Sequence, residues 1–483
     1  MAEEVELKLE LAPGAVEDAL GSGLLGEPTS ILQQTSTYFD TTDRKLFDRG
    51  FTLRIRKTGN SLVQTVKAIG ESASLFARSE WETPVEQGQP VLDHSSPIEN
   101  EFGIDIVLVP KFDVEIERRI WNFDEQHSKI EVAVDQGEVV SGERRMSVRE
   151  VELELKDGDP ADLFIFARKL DATAPFRFGV RSKAERGFAL IDAERLVYKA
   201  ERLHLEKSMR ASTSFQTIAE SCFRHFRLNE DILLRQRNPE ALHQARVAIR
   251  RLRSAFSIYK PMLPGDEPQR LKDEFRWLAQ VLGEARNVDV LLPKANDADV
   301  RSRLDDAREK AYDDAIAALT SSRARALMLD FNEWLRCGGY LSHDQTAKIR
   351  EQPAADFARS ALQRMRKKLK KHGQALAETD DEHRHEARKD AKKFRYAAEF
   401  FATLFDDKRG ERRHEKFIAL MASLQDELGA LNDLVTGPDV LEKLGLSEHP
   451  ARDGVVSHAD KSRLIDAAQI ALDEVIDAKR FWK

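Results

Sequence analysis

Cysteine is nearly absent: the 483 residues hold two, Cys222 and Cys337, far apart and in no ligand-spaced motif. That excludes a disulfide framework and a cysteine-built zinc site, and it suits a reducing cytoplasm. Long apolar runs are missing as well. No window approaches the roughly 20 apolar residues of a membrane span, and the N-terminus opens on acids instead of a basic stretch followed by an apolar run. Neither secretion nor a membrane partner is expected. An excess of positive charge is also lacking, since 76 Lys and Arg stand against 84 Asp and Glu for a formal net charge of −8. An indiscriminate nucleic-acid binder is thereby disfavoured, although local basic faces exist. What is present is a 41% hydrophobic, 33% charged chain, long enough for two or three separate cores.

Up to about residue 195 the pattern is period 2, as in Thr52-Leu53-Arg54-Ile55-Arg56, Leu62-Val63-Gln64-Thr65-Val66-Lys67 and Glu150-Val151-Glu152-Leu153-Glu154-Leu155-Lys156. Such segments are strands with one apolar and one charged face. Lys57-Thr58-Gly59-Asn60 reads as a turn of an antiparallel meander, and Asp159-Pro160 opens a helix over 160–171. Beyond about residue 205 apolar residues recur at three- and four-residue spacing, so this half is helical. Asn238-Pro239, Pro261 to Pro268, Cys337-Gly338-Gly339 and Gly437-Pro438 are expected to be inter-helix loops. The domains are expected at 1–200 and 201–483, the second holding repeats at about 210–335 and 350–480.

The opening Glu4-Val5-Glu6-Leu7-Lys8 places two carboxylates and an ammonium on one strand face. If the strands close into a barrel, the inward faces gather Glu4, Glu6, Lys8, Arg54, Arg56, Lys67, Glu80, Glu82, Arg118, Asp135, Glu150, Glu152 and Glu154. Such an interior is costly when dry and calls for water, ligand and metal. Carboxylates without neighbouring His or Cys suit a hard cation, Mg²⁺ or Mn²⁺, and guanidinium groups suit phosphate oxygens. A metal-chelated polyphosphate satisfies both sets. The bland alternative is the wet face of an ordinary sheet, which five charged strands with acids on the first and late strands and bases on the middle ones make less apt.

These residues resemble a known family. The Glu-x-Glu-x-Lys start, Tyr38-Phe39-Asp40-Thr41, Leu53-Arg54-Ile55-Arg56 and the ending Ser182-Lys183-x-x-Arg186-Gly187 are similar to the CYTH domain of triphosphate tunnel metalloenzymes. The resemblance implies an eight-stranded antiparallel β-tunnel acting on inorganic triphosphate, thiamine triphosphate, RNA 5′-triphosphate or ATP. It implies metal ligation by Glu4, Glu6, Glu150 and Glu152, with Glu80, Glu82, Asp135 and Glu154 as further acidic ligands. Arg54, Arg56, Lys67, Arg78, Arg118 and Lys183 would hold phosphates, and Lys8 with Tyr38 would activate water. Which of Glu150, Glu152 and Glu154 touch metal is open, because a two-residue slip keeps all three inward.

The helical half carries a duplication. His243, Arg246, Arg250 and Arg253 recur in spacing as His385, Arg388, Lys392 and Arg395, each set on one helix face, and Leu282-Gly283-Glu284-Ala285-Arg286-Asn287 recurs as Leu428-Gly429-Ala430-Leu431-Asn432-Asp433. A repeated stripe of bases suits an extended polyanion. The basic stretch Arg364 to His372 is more simply a solvated helix face. No His or carboxylate stands at i+4 to make the stripes a metal site, and aromatics that would stack nucleobases are not interleaved. The duplicated pattern resembles the CHAD domain, which implies two four-helix bundles around a basic cavity and polyphosphate binding; here Lys392 and Lys393 replace an arginine pair.

The expected fold is therefore α+β multidomain, and the whole resembles bacterial CYTH-CHAD inorganic triphosphatases: a metal-dependent hydrolase of inorganic triphosphate whose helical domain binds long-chain polyphosphate, in the cytoplasm and at polyphosphate granules. A polyphosphate-binding scaffold with little turnover, or a tunnel enzyme for nucleoside or thiamine triphosphate, are the alternatives. Oligomeric state is left open.

Overall fold

The alternating segments form one antiparallel sheet in the computed structural model, which describes residues 5–68, 79–92, 97–192, 195–455 and 459–483. Its strands are β1 (Val5–Leu11), β2 (Ser30–Asp40), β3 (Phe51–Thr58), β4 (Ser61–Ala68), β5 (Ser79–Pro84), β6 (Val109–Glu125), β7 (Ser128–Ser141), β8 (Arg144–Asp157) and β9 (Phe176–Phe178). They lie in the order β5-β4-β3-β2-β6-β7-β8-β1-β9, so the first strand in sequence is embedded between β8 and β9. Among the described residues nine strands stand where eight were expected, because the three-residue β9 pairs with β1 and is too short to show alternation.

Short helices α1 (Ala15–Gly21), α2 (Lys45–Asp48), α3 (Ile98–Phe102), α4 (Pro160–Asp171) and α5 (Lys183–Ile191) accompany the sheet. On one face Leu7, Leu9, Val132, Val134, Val151 and Leu153 are buried. Helix α4, opened by Pro160 and capped by Asp159, brings Phe166 against Phe123 at 4.9 Å between ring centroids on that same side. Apolar burial has one face to use, and the charged residues are left with the other.

A second unit takes in Val197–Phe331 and Gly338–Lys483. Its helices are α6 (Ala211–Leu233), α7 (Pro239–Ile258), α8 (Glu267–Leu291), α9 (Ala298–Thr320), α10 (Ser322–Cys337, of which Asn332–Cys337 falls in the first unit), α11 (Ala347–Glu351), α12 (Ala354–His372), α13 (Asp381–Phe400), α14 (Lys408–Lys443) and α15 (Lys461–Asp477). Helices α6 to α9 pack each on the next, as do α12 to α15, with α10 and α11 between the two copies. Asn238 and Asp380 cap α7 and α13, and His243 and His385 are each the fifth residue of their helix, so the duplication is kept in phase.

One expected break is overturned. Gly437-Pro438 is no loop: Pro438 lies inside the 36-residue α14. An interior proline removes one backbone donor and costs about 3 kcal/mol. Immediately beyond it Val440 and Leu441 are buried with Val288, Leu291, Val300 and Leu304, and burying two such side chains offsets a cost of that order.

Candidate functional site

Residues directly opposite in antiparallel strands share a face, and the register carries one face across the sheet. Glu6 pairs with Glu154, Lys8 with Glu152 and Glu10 with Glu150. Glu150 pairs with Asp135, Asp135 with Arg118, Tyr38 with Arg54 and Lys67 with Glu80. The predicted sheet residues that are described, Glu6, Lys8, Tyr38, Arg54, Arg56, Lys67, Glu80, Glu82, Arg118, Asp135, Glu150, Glu152 and Glu154, therefore project to the same side. Glu4 and Arg78 lie outside the described residues.

At the β7-β8-β1 end, Asp135, Glu150 and Glu152 bring carboxylate oxygens within 4.8 Å of one another, with Asp135 and Glu150 fully buried. Lys183 of α5 reaches into the middle of them, its Nζ 2.8 Å from Asp135, 2.7 Å from Glu150 and 3.0 Å from Glu152. Arg118 binds Asp135 through two 2.7 Å hydrogen bonds and Glu152 at 2.6 Å. Arg186 joins Glu10 at 2.7 Å to Glu150 at 2.6 Å. Helix α5 is held for this by a Ser182–Glu185 capping box at its start and by Arg144 donating to the Leu190, Ile191 and Asp192 carbonyls at its end. Gly187 lets it close on the sheet, since a Cβ there would stand 2.0 Å from the Phe112 ring.

Burial disfavours every charge in this cluster, and the opposite charges outweigh it. Against burial, Asp135, Glu150 and Glu152 hold the Lys183 pKa well above its ordinary value. Lys8, 3.3 Å from Glu152, is likewise raised against burial by Glu152, Glu6 and Glu150. It therefore carries its proton at neutral pH. Glu150 is pulled down to about 2, burial being overcome by Lys183, Arg186 and Lys8.

The other end of the face is arranged differently. Glu80 takes Lys67 at 2.8 Å with Arg54 at 3.9 Å, and Glu82 takes Arg56 at 3.0 Å. Burial and the neighbouring Arg54 lower the Arg56 pKa, whereas, against burial, Tyr38 and Glu80 raise that of Arg54; here three cations, Arg54, Arg56 and Lys67, stand against the two carboxylates Glu80 and Glu82. Tyr38 is 5% exposed, stacked on Phe112 at 4.8 Å and hydrogen-bonded toward Arg54. The structure thus gives Lys8 and Tyr38 different partners. Glu154 pairs with Lys156 at 2.7 Å and stands apart from the trio.

The expected separation of acids from bases is corrected: Glu80 and Glu82 stand among the bases, and Lys183, Arg118 and Lys8 among the acids. Ion pairing drives this, because like charges cannot share a partly dry face. Sequence reasoning also missed Glu10 and Arg186. Glu10 continues the period of Glu6 and Lys8, a signal that was available, whereas the partners of Arg186 come from strands remote in sequence.

The donor set fits a hard divalent ion. Three carboxylates converge, Asp135 and Glu150 buried and Glu152 partly so, and the wholly buried Glu150 Oε2 accepts no hydrogen bond, meeting Lys183 as an ion pair only.

In the helical unit the two stripes converge. Arg250 Nε donates to the Tyr396 hydroxyl at 2.7 Å, tying α7 to α13, while Arg251 pairs with Glu399. Arg246 donates to the Ala279 carbonyl at 2.8 Å and Arg388 to Asn432 at 2.7 Å. A Cβ at Gly283 would come within 2.3 Å of Arg246 Nη1, so a side chain there would displace that guanidinium. Burial together with Arg250, Arg388 and Arg246 brings Lys392 down to about 7, and burial with Arg250 and Arg286 brings Arg246 down to about 10. These cations are crowded, with Asp433 and Glu284 as the acids beside them, and crowding of that kind raises the local positive potential. His243 and His385 are lowered by burial and by adjacent bases, and Arg253 and Arg395 lie farther along, beside Arg276 and Glu399.

Comparison with known proteins matches the family model of the CYTH domain to residues 2–188 and that of the CHAD domain to residues 217–442. An inorganic triphosphatase of Haemophilus influenzae is 35% identical over 202 residues, 39% of this chain and 55% of that protein, so the chain spans about half the length of this curated relative. Among solved structures, the CHAD domain from the plant Ricinus communis is 30% identical, covering 57% of this chain and 96% of that one with a TM-score of 0.48. A putative adenylyl cyclase from Hippeastrum, described as having a dominant triphosphatase activity, is 17% identical over 38% of this chain and 95% of that one, with a TM-score of 0.30. Among the described residues no helix is long and apolar enough to cross a membrane.

Proposed function

We propose, for a chain that carries a CYTH domain followed by a CHAD domain, that the charged sheet face hydrolyses inorganic triphosphate to diphosphate and phosphate with Mg²⁺ or Mn²⁺, and that the helical unit binds long-chain polyphosphate. The observation that carries the reading is the register, which joins a largely buried carboxylate trio to a group of three cations, Arg54, Arg56 and Lys67, that outnumber their two carboxylates on one face. Asp135, Glu150 and Glu152 would hold the metal, which supplies positive charge against the phosphate oxygens in the transition state. Arg54, Arg56 and Lys67 would bind phosphoryl oxygens, with the two arginine forks setting orientation. Lys8, protonated as it stands, would orient the substrate or donate a proton to the leaving diphosphate rather than take one from water. Inorganic triphosphate is favoured over nucleotides because, among the described residues, those assembled on this face are ionic apart from Tyr38, which is buried against Phe112.

The test is phosphate release from inorganic triphosphate, ATP, thiamine triphosphate and long-chain polyphosphate with Mg²⁺ or Mn²⁺, for wild type and Glu152→Gln. Metal-dependent triphosphate turnover, reduced at least about a hundredfold in the variant, is expected. Binding of every substrate without turnover of any would make the protein a polyphosphate-binding scaffold.

A further inference from the structure

A divalent ion bound to Asp135, Glu150 and Glu152 at about 2.1 Å would need the space that the Lys183 ammonium fills, because that Nζ already lies within 3.0 Å of all three carboxylates. The trio is neutralised without any ion: Lys183 in the centre, Arg118 on Asp135 and Glu152, Arg186 on Glu150. Arg118 and Arg186 approach from the flanks, and each contacts two carboxylates. Lys183 alone touches all three. The fit is also imperfect in a telling way, since Glu150 Oε2, fully buried, faces this ammonium without a hydrogen bond. An ammonium offers three directed protons, whereas a metal ion bonds carboxylate oxygens wherever they point.

We propose that Lys183 is a built-in substitute for the divalent cation, holding the carboxylate trio in the substrate-free protein and leaving it to the metal only when a polyanion arrives whose oxygens receive the displaced ammonium. The inference rests on the triphosphatase reading for the identity of that polyanion. A flexible four-carbon stem lets a lysine make such a transfer, as the rigid fork of an arginine does not. The consequence is thermodynamic. Metal and triphosphate bind with positive coupling, each tightening the other by the same factor, and the protein without substrate is nearly blind to free metal. Without the substitute the trio would keep only Arg118, Arg186 and the edge contact of Lys8, with no cation at its centre.

The experiment is Mn²⁺ binding to the full chain, read from the paramagnetic resonance of free Mn²⁺, with and without an imido-bridged triphosphate that cannot be hydrolysed. Wild type is compared with Lys183→Gln, with Lys183→Met as the second variant should the glutamine disturb folding, and with Arg118→Gln. Wild type is expected to bind Mn²⁺ weakly alone and at least about tenfold more tightly with the analogue. Lys183→Gln or Lys183→Met should bind Mn²⁺ about tenfold more tightly than wild type without the analogue and gain little from adding it. A Lys183 variant no tighter than wild type overturns the proposal, and so does Arg118→Gln with an equal gain, which would make the effect one of net charge rather than of occupancy. Phosphate release on the same preparations keeps the two readings apart: no turnover with the Lys183 effect intact removes the triphosphatase reading alone, and full turnover with Mn²⁺ affinity indifferent to Lys183 removes this inference alone.

Discussion

Glu150 gathers in one side chain the electrostatics of the sheet. Its carboxylate is fully buried between Lys183 and Arg186 and titrates near 2, below its ordinary value of 4.5. A folded pKa below the unfolded one contributes stability that is complete above about pH 4.5 and is lost as the pH falls toward 2. Thermal unfolding followed from pH 5 to pH 2.5 should therefore show a falling midpoint. Glu150→Gln removes the partner of two buried cations and should cost about 3–5 kcal/mol at neutral pH, checked by denaturant titration. Gly283 gives a sharper contrast between stability and binding. Alanine there gains up to about 1 kcal/mol of helix propensity, yet its Cβ meets the Arg246 guanidinium, whereas the equivalent Gly429 has nothing within 4 Å. Gly283→Ala should weaken long-chain polyphosphate binding several-fold with unchanged or higher stability, and Gly429→Ala should leave binding alone; isothermal titration separates the two. The sequence makes the alternating residues legible because strand period alone sets their side of the sheet. It leaves Arg186 unread because Glu10 and Glu150, its partners, are far from it along the chain and from each other.

Among the elements, α5 and α14 carry opposite lessons. The Ser182-Lys183-x-x-Arg186-Gly187 segment is readable as a capped helix start, and the capping box is present. What it does there, inserting two cations into an acid cluster, depends on where β7, β8 and β1 lie. Ser182→Ala should cost about 1 kcal/mol and, by loosening Lys183, raise the affinity for free Mn²⁺, as unfolding and metal titrations would reveal. Pro438 misleads in the other direction, since a local signal of helix ending is overridden by burial of Val440 and Leu441. Pro438→Ala should therefore stabilise the helical unit by about 1–3 kcal/mol without altering polyphosphate binding, and a lower melting temperature would contradict the packing account. The three-residue β9 lies below the length at which alternation can be seen, and only its pairing with β1 identifies it.

At the scale of the whole molecule, pH dependence follows from charge crowding in the helical unit. Lys392 on α13 faces Arg246 and Arg250 of α7 and Arg388 of its own helix, with Asp433 of α14 as the acid, and titrates near 7 instead of 10.5. Its folded pKa lies below the unfolded one, so between pH 7 and 10.5 the unfolded chain binds the extra proton and the polyanion-free protein gains stability as the pH rises. A bound polyanion restores the proton, so binding takes one up. Affinity for polyphosphate should accordingly fall about tenfold from pH 6.5 to pH 8.5, and Lys392→Met should flatten that dependence; titrations at the two pH values decide it. Arg250→Glu with Arg388→Glu in the full chain should abolish most polyphosphate binding while triphosphate turnover stays near wild type.

Composition and periodicity were enough, without coordinates, to establish a charged antiparallel sheet followed by duplicated helices, because strand and helix periods are local properties of the chain. The in-phase repeat of His243 and His385 belongs there too. Tertiary structure alone decided which acids meet which bases: that Glu80 pairs with Arg54 and Lys67 and Glu82 with Arg56, that Lys183 rather than any strand residue fills the carboxylate trio, and that two stripes 142 residues apart face one another across α7 and α13. Coulomb energy depends on distance and on burial, and neither is written in sequence separation.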